Sequence, residues 1–234
     1  MNYLHELEPE EYTIDGDFTN LGEHEPAIFG HRFIDAVAGC ADQLGFVVVQ
    51  NSFSLPVFEA LEEDCREVLA EHDTRRWTQK IDTTEAIRID KTPEARTVLP
   101  QRSQNMLGDV ALRLQQASAD KKRMSTDNAE IATSYILRML YKAKVGPHRD
   151  PVTGVMCETA LTGAETVALQ SEDGWKARVR LRPNDTLIMP AYTFGTFTSQ
   201  RKPLKHSVAN TTRLREGRGR RLSVFYNYGR QSSD

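Results

Sequence analysis

From Thr166 to Tyr228 the chain repeats one pattern, a short run of strand-forming residues closed by a turn, and that repetition leaves few folds open. The runs are Thr166 to Gln170, Trp175 to Leu181, Thr186 to Met189, Tyr192 to Thr198 and Leu222 to Tyr228. Asp173-Gly174, Pro183-Asn184-Asp185 and Glu216-Gly217 punctuate them with residues suited to tight reversals. Short strands in series favour a barrel or a double-sheet jelly roll over a parallel doubly wound sheet. No glycine-rich phosphate loop follows a strand, so a nucleotide-binding fold loses support. The expected class is mainly β with α additions.

The additions lie N-terminal. A short extended piece is expected around Tyr12 to Ile14. His31 to Leu44 sets Phe33, Val37, Ala41 and Leu44 on one helical face, and Gly45 follows as a left-handed C-cap. Phe46 to Gln50 is an apolar, β-branched strand closed by Asn51 and Ser52. Ser54 is suited to cap a second helix with Phe58, Leu61, Cys65, Val68 and Leu69 on its buried face. Between Asp73 and Pro100, Trp77, Ile81, Ile87 and Ile89 suit edge strands, with breaks at Thr92-Pro93 and Leu99-Pro100. A third helix is expected from Asn105 to Ala119, burying Met106, Val110, Leu112 and Leu114. Tyr135 to Lys144 is long and mixed in character, and Val145-Gly146-Pro147 breaks it. The expectation is one catalytic domain, 1–234, with 1–130 as mainly helical support and 131–230 as the jelly-roll core.

Composition narrows the function. A formal charge of −3 and a pI near 6.1 give no overall attraction to nucleic acid or to an anionic membrane. The acidic opening MNYLHELEPEEYTIDGD lacks the features of a secretory signal, and no apolar run approaches the roughly 18 residues of a membrane span. Cys40, Cys65 and Cys157 are odd in number and far apart, which argues against a disulfide framework. A cytoplasmic protein with a small-molecule substrate, and without a nucleic-acid or membrane partner, is the expectation. The oligomeric state is not legible.

The chemistry starts at His148-Arg149-Asp150. Side chains two apart on a strand share a face, so His148 and Asp150 are able to converge on one ion while Arg149 points away. His206 from a distant strand completes two imidazoles and one carboxylate, which leaves three octahedral positions open for a cosubstrate and oxygen, as in non-haem ferrous oxygenases. Zinc accepts the same ligands, so a zinc hydrolase competes, although no general base stands beside the set. Glu158 and Glu165 compete with Asp150 for the carboxylate role, without its pairing to a histidine. Arg221 offers a rigid bidentate fork to a carboxylate, and Ser223, two residues on, a further donor on the same side. Arg221 also ends a basic loop holding Arg213, Arg215, Arg218 and Arg220, which suits a nucleic-acid or acidic-partner patch but lacks the interleaved aromatics for stacking on bases.

Taken together these residues resemble the ferrous, 2-oxoglutarate-dependent dioxygenase superfamily, and within it the isopenicillin N synthase-like branch. Ala41 to Asn51 resembles that branch's N-terminal helix and Gly-Phe-Phe strand, and Gly146-Pro147-His148-Arg149-Asp150 its first ligand pair. Gly174 to Val179 and Pro183-Asn184-Asp185 resemble its tryptophan-led strand and Pro-Gly-Asp-like turn. Lys205-His206-Ser207-Val208 and Arg221-Leu222-Ser223 are similar to its His-Arg-Val and Arg-x-Ser segments. The resemblance implies a double-stranded β-helix, a cupin-like jelly roll braced by N-terminal helices. It implies Fe(II) on His148, Asp150 and His206, 2-oxoglutarate held by Arg221 and Ser223 with Tyr141 reaching it, and molecular oxygen as cosubstrate. The product side is hydroxylation, desaturation or cyclisation of a small metabolite, with amino-acid- or peptide-derived compounds as one class. Three departures stand out: Ser rather than His-Gly follows Asn51, Asn184 replaces glycine in the turn, and fifteen positions separate His206 from Arg221. Arg213, Arg215, Arg218 or Lys205, if facing the pocket, would draw in an anionic substrate. The reading from another class is a noncatalytic jelly-roll protein that binds metal or ligand.

Overall fold

Each of the first elements closes on a residue chosen for its backbone. The computed structural model describes residues 5–20, 27–71, 78–81, 84–90, 99–117, 131–141, 144–149, 154–163, 165–171, 174–191, 204–209 and 220–230. After a short helix α1 (Pro9–Tyr12), helix α2 (Ala27–Leu44) ends where Gly45, at φ 85°, donates its N–H to the Ala41 carbonyl at 2.8 Å. Only glycine adopts that φ without a Cβ penalty, so the chain turns at once into β3 (Val47–Gln50). Val37 and Ala41 are buried as the periodicity predicts, with Ile34 and Ala38 beside them. Helix α3 (Leu55–Glu71) starts with the Ser54 carbonyl accepting the Phe58 N–H, and buries Phe58, Leu61, Cys65 and Val68.

Helix α4 (Gln101–Ala117) departs from the expectation in start and in phase. It begins four residues early, against the Pro100 carbonyl, which accepts N–H bonds from Ser103 and Gln104. Its core side chains are Leu107, Val110, Ala111 and Leu114, one face of a helix, while Leu112 is only half-buried. Val110, Leu112 and Leu114 are two apart, a spacing that a 3.6-residue period cannot hold on one side.

Two sheets sit face to face. The smaller has the order β1 (His5–Glu6), β10 (Trp175–Leu181), β9 (Glu165–Gln170), β12 (Lys205–Ala209), β7 (Lys144–His148). The larger has the order β2 (Thr13–Asp15), β3, β11 (Thr186–Ala191), β8 (Gly154–Thr162), β13 (Arg220–Arg230), β6 (Ile131–Tyr141), β5 (Thr84–Asp90), β4 (Thr78–Ile81). Pairing is antiparallel except where β1 meets β10 and β2 meets β3. The pleat splits the core in two. Val155, Cys157 and Leu161 of β8 and Leu222, Val224 and Tyr226 of β13 pack against α2, α3 and α4. Met156 and Ala160 of β8 with Leu187 and Met189 of β11 instead meet Val167, Leu169, Ala177, Val179 and Leu181 of the smaller sheet. This is a jelly-roll-like sandwich braced by helices on one face.

Strands β2, β3, β4 and β5 fall where the extended piece, the Phe46 run and the edge strands are expected. Three expectations about strands change. The mixed stretch before residue 142 is the strand β6, and Val145-Gly146-Pro147 continues in β7 rather than breaking, because β7 is an edge strand where a missing N–H is tolerated. The central strand β8 falls where no strand is expected from sequence. The run Tyr192 to Thr198 and the Trp77 position lie outside the described residues.

One buried charge ties α3 to α4. The Asp64 carboxylate, 2% exposed, accepts from Arg102 Nε at 3.1 Å and from Ser103 Oγ. Burial pushes its carboxyl up, but the hydrogen bonds from Arg102 and Ser103, with the guanidinium charge, outweigh that and hold it below the ordinary 3.8. Asp64→Ala strands the buried Ser103 hydroxyl and is expected to cost about 1–3 kcal/mol at neutral pH. Because the folded pKa is depressed, that contribution is present above the unfolded value near 3.9 and fades as pH falls through the folded one. Denaturant melts of wild type and variant should therefore diverge at pH 7 and draw together as pH falls progressively below the unfolded value; a gap that stays equal over the whole acid range would refute the charge-based account.

Candidate metal and cosubstrate site

Strands β7 and β12 bring the two sequence-distant histidines together. His206 is the register partner of His148 on one side and of Leu169 on the other, and it alternates with Val208, opposite Val167. Leu169 and Val167 belong to the inter-sheet core, so His206, 8% exposed, faces the space between the sheets. His148 is half-buried at the end of the edge strand. The imidazole centres are 4.2 Å apart with a 55° tilt.

Hydrogen bonds set the tautomers. His148 Nδ1 lies 2.8 Å from the Gly146 carbonyl, and His206 Nδ1 lies 3.3 Å from the Leu204 carbonyl. A carbonyl only accepts, so each Nδ1 donates its proton to that oxygen, which leaves Nε2 as the nitrogen that could bind a metal. Two imidazoles bound to one ion at about 2.1 Å through single nitrogens, with a right angle between the bonds, have centres about 4.5 Å apart. The observed separation of 4.2 Å is close to that value.

Asp150, two residues beyond His148, lies outside the described residues. Among the described residues no group of three His, Cys, Asp or Glu is placed to hold a metal. Glu158 is among those residues, so it does not stand as third ligand to the two imidazoles. Arg149 is exposed.

Strand β13 carries the anion-binding candidates. Leu222, Val224 and Tyr226 face the helices, and Ser223 alternates with them on the other face, beside Phe225 of the inter-sheet core. Ser223 is fully buried, and its Oγ has no hydrogen-bond partner among the described residues. A buried hydroxyl without a partner costs free energy unless something else supplies one, and a carboxylate oxygen does so. Arg221 precedes it by two positions in the same strand, opposite Leu140. Tyr141 pairs with Arg220 of the same ladder.

Asn184 and Lys205 bear on two finer readings of the sequence. Asn184 stands at φ 69°, a conformation open to Gly and Asn, and its amide makes two bonds to Phe53: Oδ1 accepts the N–H at 3.0 Å and Nδ2 donates to the carbonyl at 2.8 Å. The replacement of glycine in this turn therefore pins the start of β11 to the end of β3. Lys205 is exposed and out of phase with His206, so it does not charge the space between the sheets; Arg213, Arg215 and Arg218 lie outside the described residues. Cys157 is buried against the helices, and burial pushes its thiol far up, which fits packing and not catalysis. No helix among the described residues is long and apolar enough to cross a membrane.

No protein-family model matches the sequence, and no curated protein does. Solved structures do. A prolyl-4-hydroxylase of Pseudomonas putida aligns at TM-score 0.56 and 13% identity, over 85% of this chain and 100% of that one. The dioxygenase for auxin oxidation 1 of Arabidopsis thaliana, solved with 2-oxoglutarate, aligns at 0.59 and 12%, over 95% and 94%. A full-length Neurospora crassa protein solved with alpha-KG and 5-formyluracil aligns at 0.60 and 13%, over 94% and 85%. The chain thus shares, over most of its length, the fold of these three proteins.

Proposed function

We propose that the chain is an oxygenase dependent on Fe(II), 2-oxoglutarate and molecular oxygen, acting on a small organic molecule. The observation that carries this reading is the His148 and His206 pair, with ring centres 4.2 Å apart and both Nδ1 atoms on backbone carbonyls, in a fold shared with enzymes solved with that cosubstrate. In this reading the two Nε2 atoms and the Asp150 carboxylate hold the ion, while Arg221 and Ser223 hold the distal carboxylate of 2-oxoglutarate. Tyr141, at the β6 position opposite Arg220, is the residue that would also reach the cosubstrate in this reading. When bound, iron and cosubstrate supply oxidation of a C–H bond coupled to conversion of 2-oxoglutarate into succinate and carbon dioxide.

The chain's own work is positioning and exclusion. The Gly146 and Leu204 carbonyls each hold one Nδ1 and so orient both imidazoles. The wall of Met156, Val167, Leu169, Val179 and Leu187 keeps bulk water from the space between the sheets and strengthens every electrostatic contact made there. The Arg-x-Ser and His-x-Asp spacing supports the isopenicillin N synthase-like branch within the class.

Anaerobic addition of Fe(II) and 2-oxoglutarate is expected to raise a charge-transfer absorption. Admitting oxygen with a metabolite pool is then expected to yield succinate and a product heavier by one oxygen atom, or lighter by two hydrogens. No absorption and no succinate with any pool would end the oxygenase reading. Metal binding without succinate would favour the noncatalytic jelly roll.

A further inference from the structure

The ladders set the inner face of the larger sheet in rows. Ala160 of β8 pairs with Ser223 of β13, Ser223 with Arg138 of β6, and Arg138 with Arg88 of β5. Directly paired residues of an antiparallel ladder share a face, so both arginines hold positions on the face that Ala160 turns toward the smaller sheet. The next row along is Glu158, Phe225, Ile136 and Asp90. These two acids therefore stand one row away, and neither is directly opposite an arginine.

Along β13, β6 and β5 the first row thus carries three hydrogen-bond donors in succession and no acid. Like charges directly opposite each other destabilise a ladder, and beside this pair Ser223 is fully buried, its Oγ without a hydrogen-bond partner among the described residues. An anion lying over the row relieves both. Arginine has five N–H donors in a planar fork, so a contact to an acid of the neighbouring row leaves donors for a ligand. The cosubstrate alone does not use the row up. Arg221 and Ser223 on β13 suffice for its distal carboxylate, whereas Arg88 stands two strands further on, about 9–10 Å across the sheet.

We propose that the row of Ser223, Arg138 and Arg88 gives the sandwich a second anion subsite: Arg138 and Arg88 receive a carboxylate carried by the substrate, so the molecule oxidised is a small organic acid. This deepens the oxygenase reading and rests on it for the word oxidised, while carboxylate binding at two arginines needs no iron. A guanidinium fork matches a planar carboxylate with two parallel N–H···O bonds, a pairing that neither an alcohol nor an ammonium of the same length reproduces.

Hexanoate, hexanol and hexylammonium, three probes of one length, test this by calorimetry on the full chain, with and without saturating Fe(II) and 2-oxoglutarate under anaerobic conditions. Hexanoate is expected to bind at least about tenfold tighter than hexanol, with hexylammonium weakest, and to keep that preference when 2-oxoglutarate is present. Arg138→Gln should erase the preference and Arg88→Gln reduce it. Arg138→Lys, which keeps the charge and loses the fork, should retain part of it, and thermal melting checks that each variant folds. No preference in wild type, an unchanged preference in either glutamine variant that folds, or displacement of hexanoate by 2-oxoglutarate overturns the second subsite. The Fe(II) and 2-oxoglutarate absorption, followed in parallel, separates the two readings. Intact absorption without a hexanoate preference rejects the subsite alone, and an Arg138-dependent preference without absorption rejects the oxygenase alone.

Discussion

His206→Ala is expected to abolish the Fe(II) and 2-oxoglutarate absorption and to lower iron affinity by more than about 100-fold, since loss of an outer-shell partner alone costs about 10–100-fold. The reason is geometric. His206 is the member of the pair inside the inter-sheet layer, held at one register position by both β7 and β9. Its removal leaves His148, half-buried on an edge strand, without the second nitrogen that makes a chelate. Because the imidazole is buried, the alanine variant also opens a cavity, so His206→Gln, closer in volume, is the companion. Both should lose the iron signal while melting cooperatively. Wild-type iron affinity in either folded variant would remove the imidazole pair from the metal site, and with it the observation on which the function stands.

How far such a site is legible before the fold is known depends on whether its logic is local. The β10 boundaries, the Gly45 cap and the buried faces of α2 and α3 follow from periodicity and from single residues with restricted backbones, so they read directly. His148 and His206 also read, because their spacing from turns and strands carries the pattern. Strand β8 does not. Its run Val155-Met156-Cys157-Glu158-Thr159-Ala160-Leu161 is buried on both faces and rich in residues at home in a helix, so neither alternation nor propensity marks it as a strand. With β8 unread, the placement of Glu158 is invisible, and an acid between the sheets looks like one more surface carboxylate.

Arg221 and Ser223 should separate cosubstrate binding from metal binding. Arg221→Ala is expected to weaken 2-oxoglutarate by about 2–5 kcal/mol, roughly 30- to 5000-fold, the cost of truncating one partner of a buried charged pair, while iron affinity stays near wild type. Ser223→Ala is the sharper control, because its Oγ has no hydrogen-bond partner among the described residues. Removing a buried, unpartnered hydroxyl does not destabilise the cosubstrate-free protein and raises its stability by up to about 1–3 kcal/mol. The same change deletes one donor to the distal carboxylate, so the variant gains less stability from 2-oxoglutarate than wild type does. The two effects have opposite signs, which ordinary core damage does not produce. A Ser223→Ala protein that melts lower without 2-oxoglutarate and gains as much from it as wild type would show the hydroxyl to be structural, and unchanged 2-oxoglutarate affinity in Arg221→Ala would move the carboxylate site elsewhere in the sandwich.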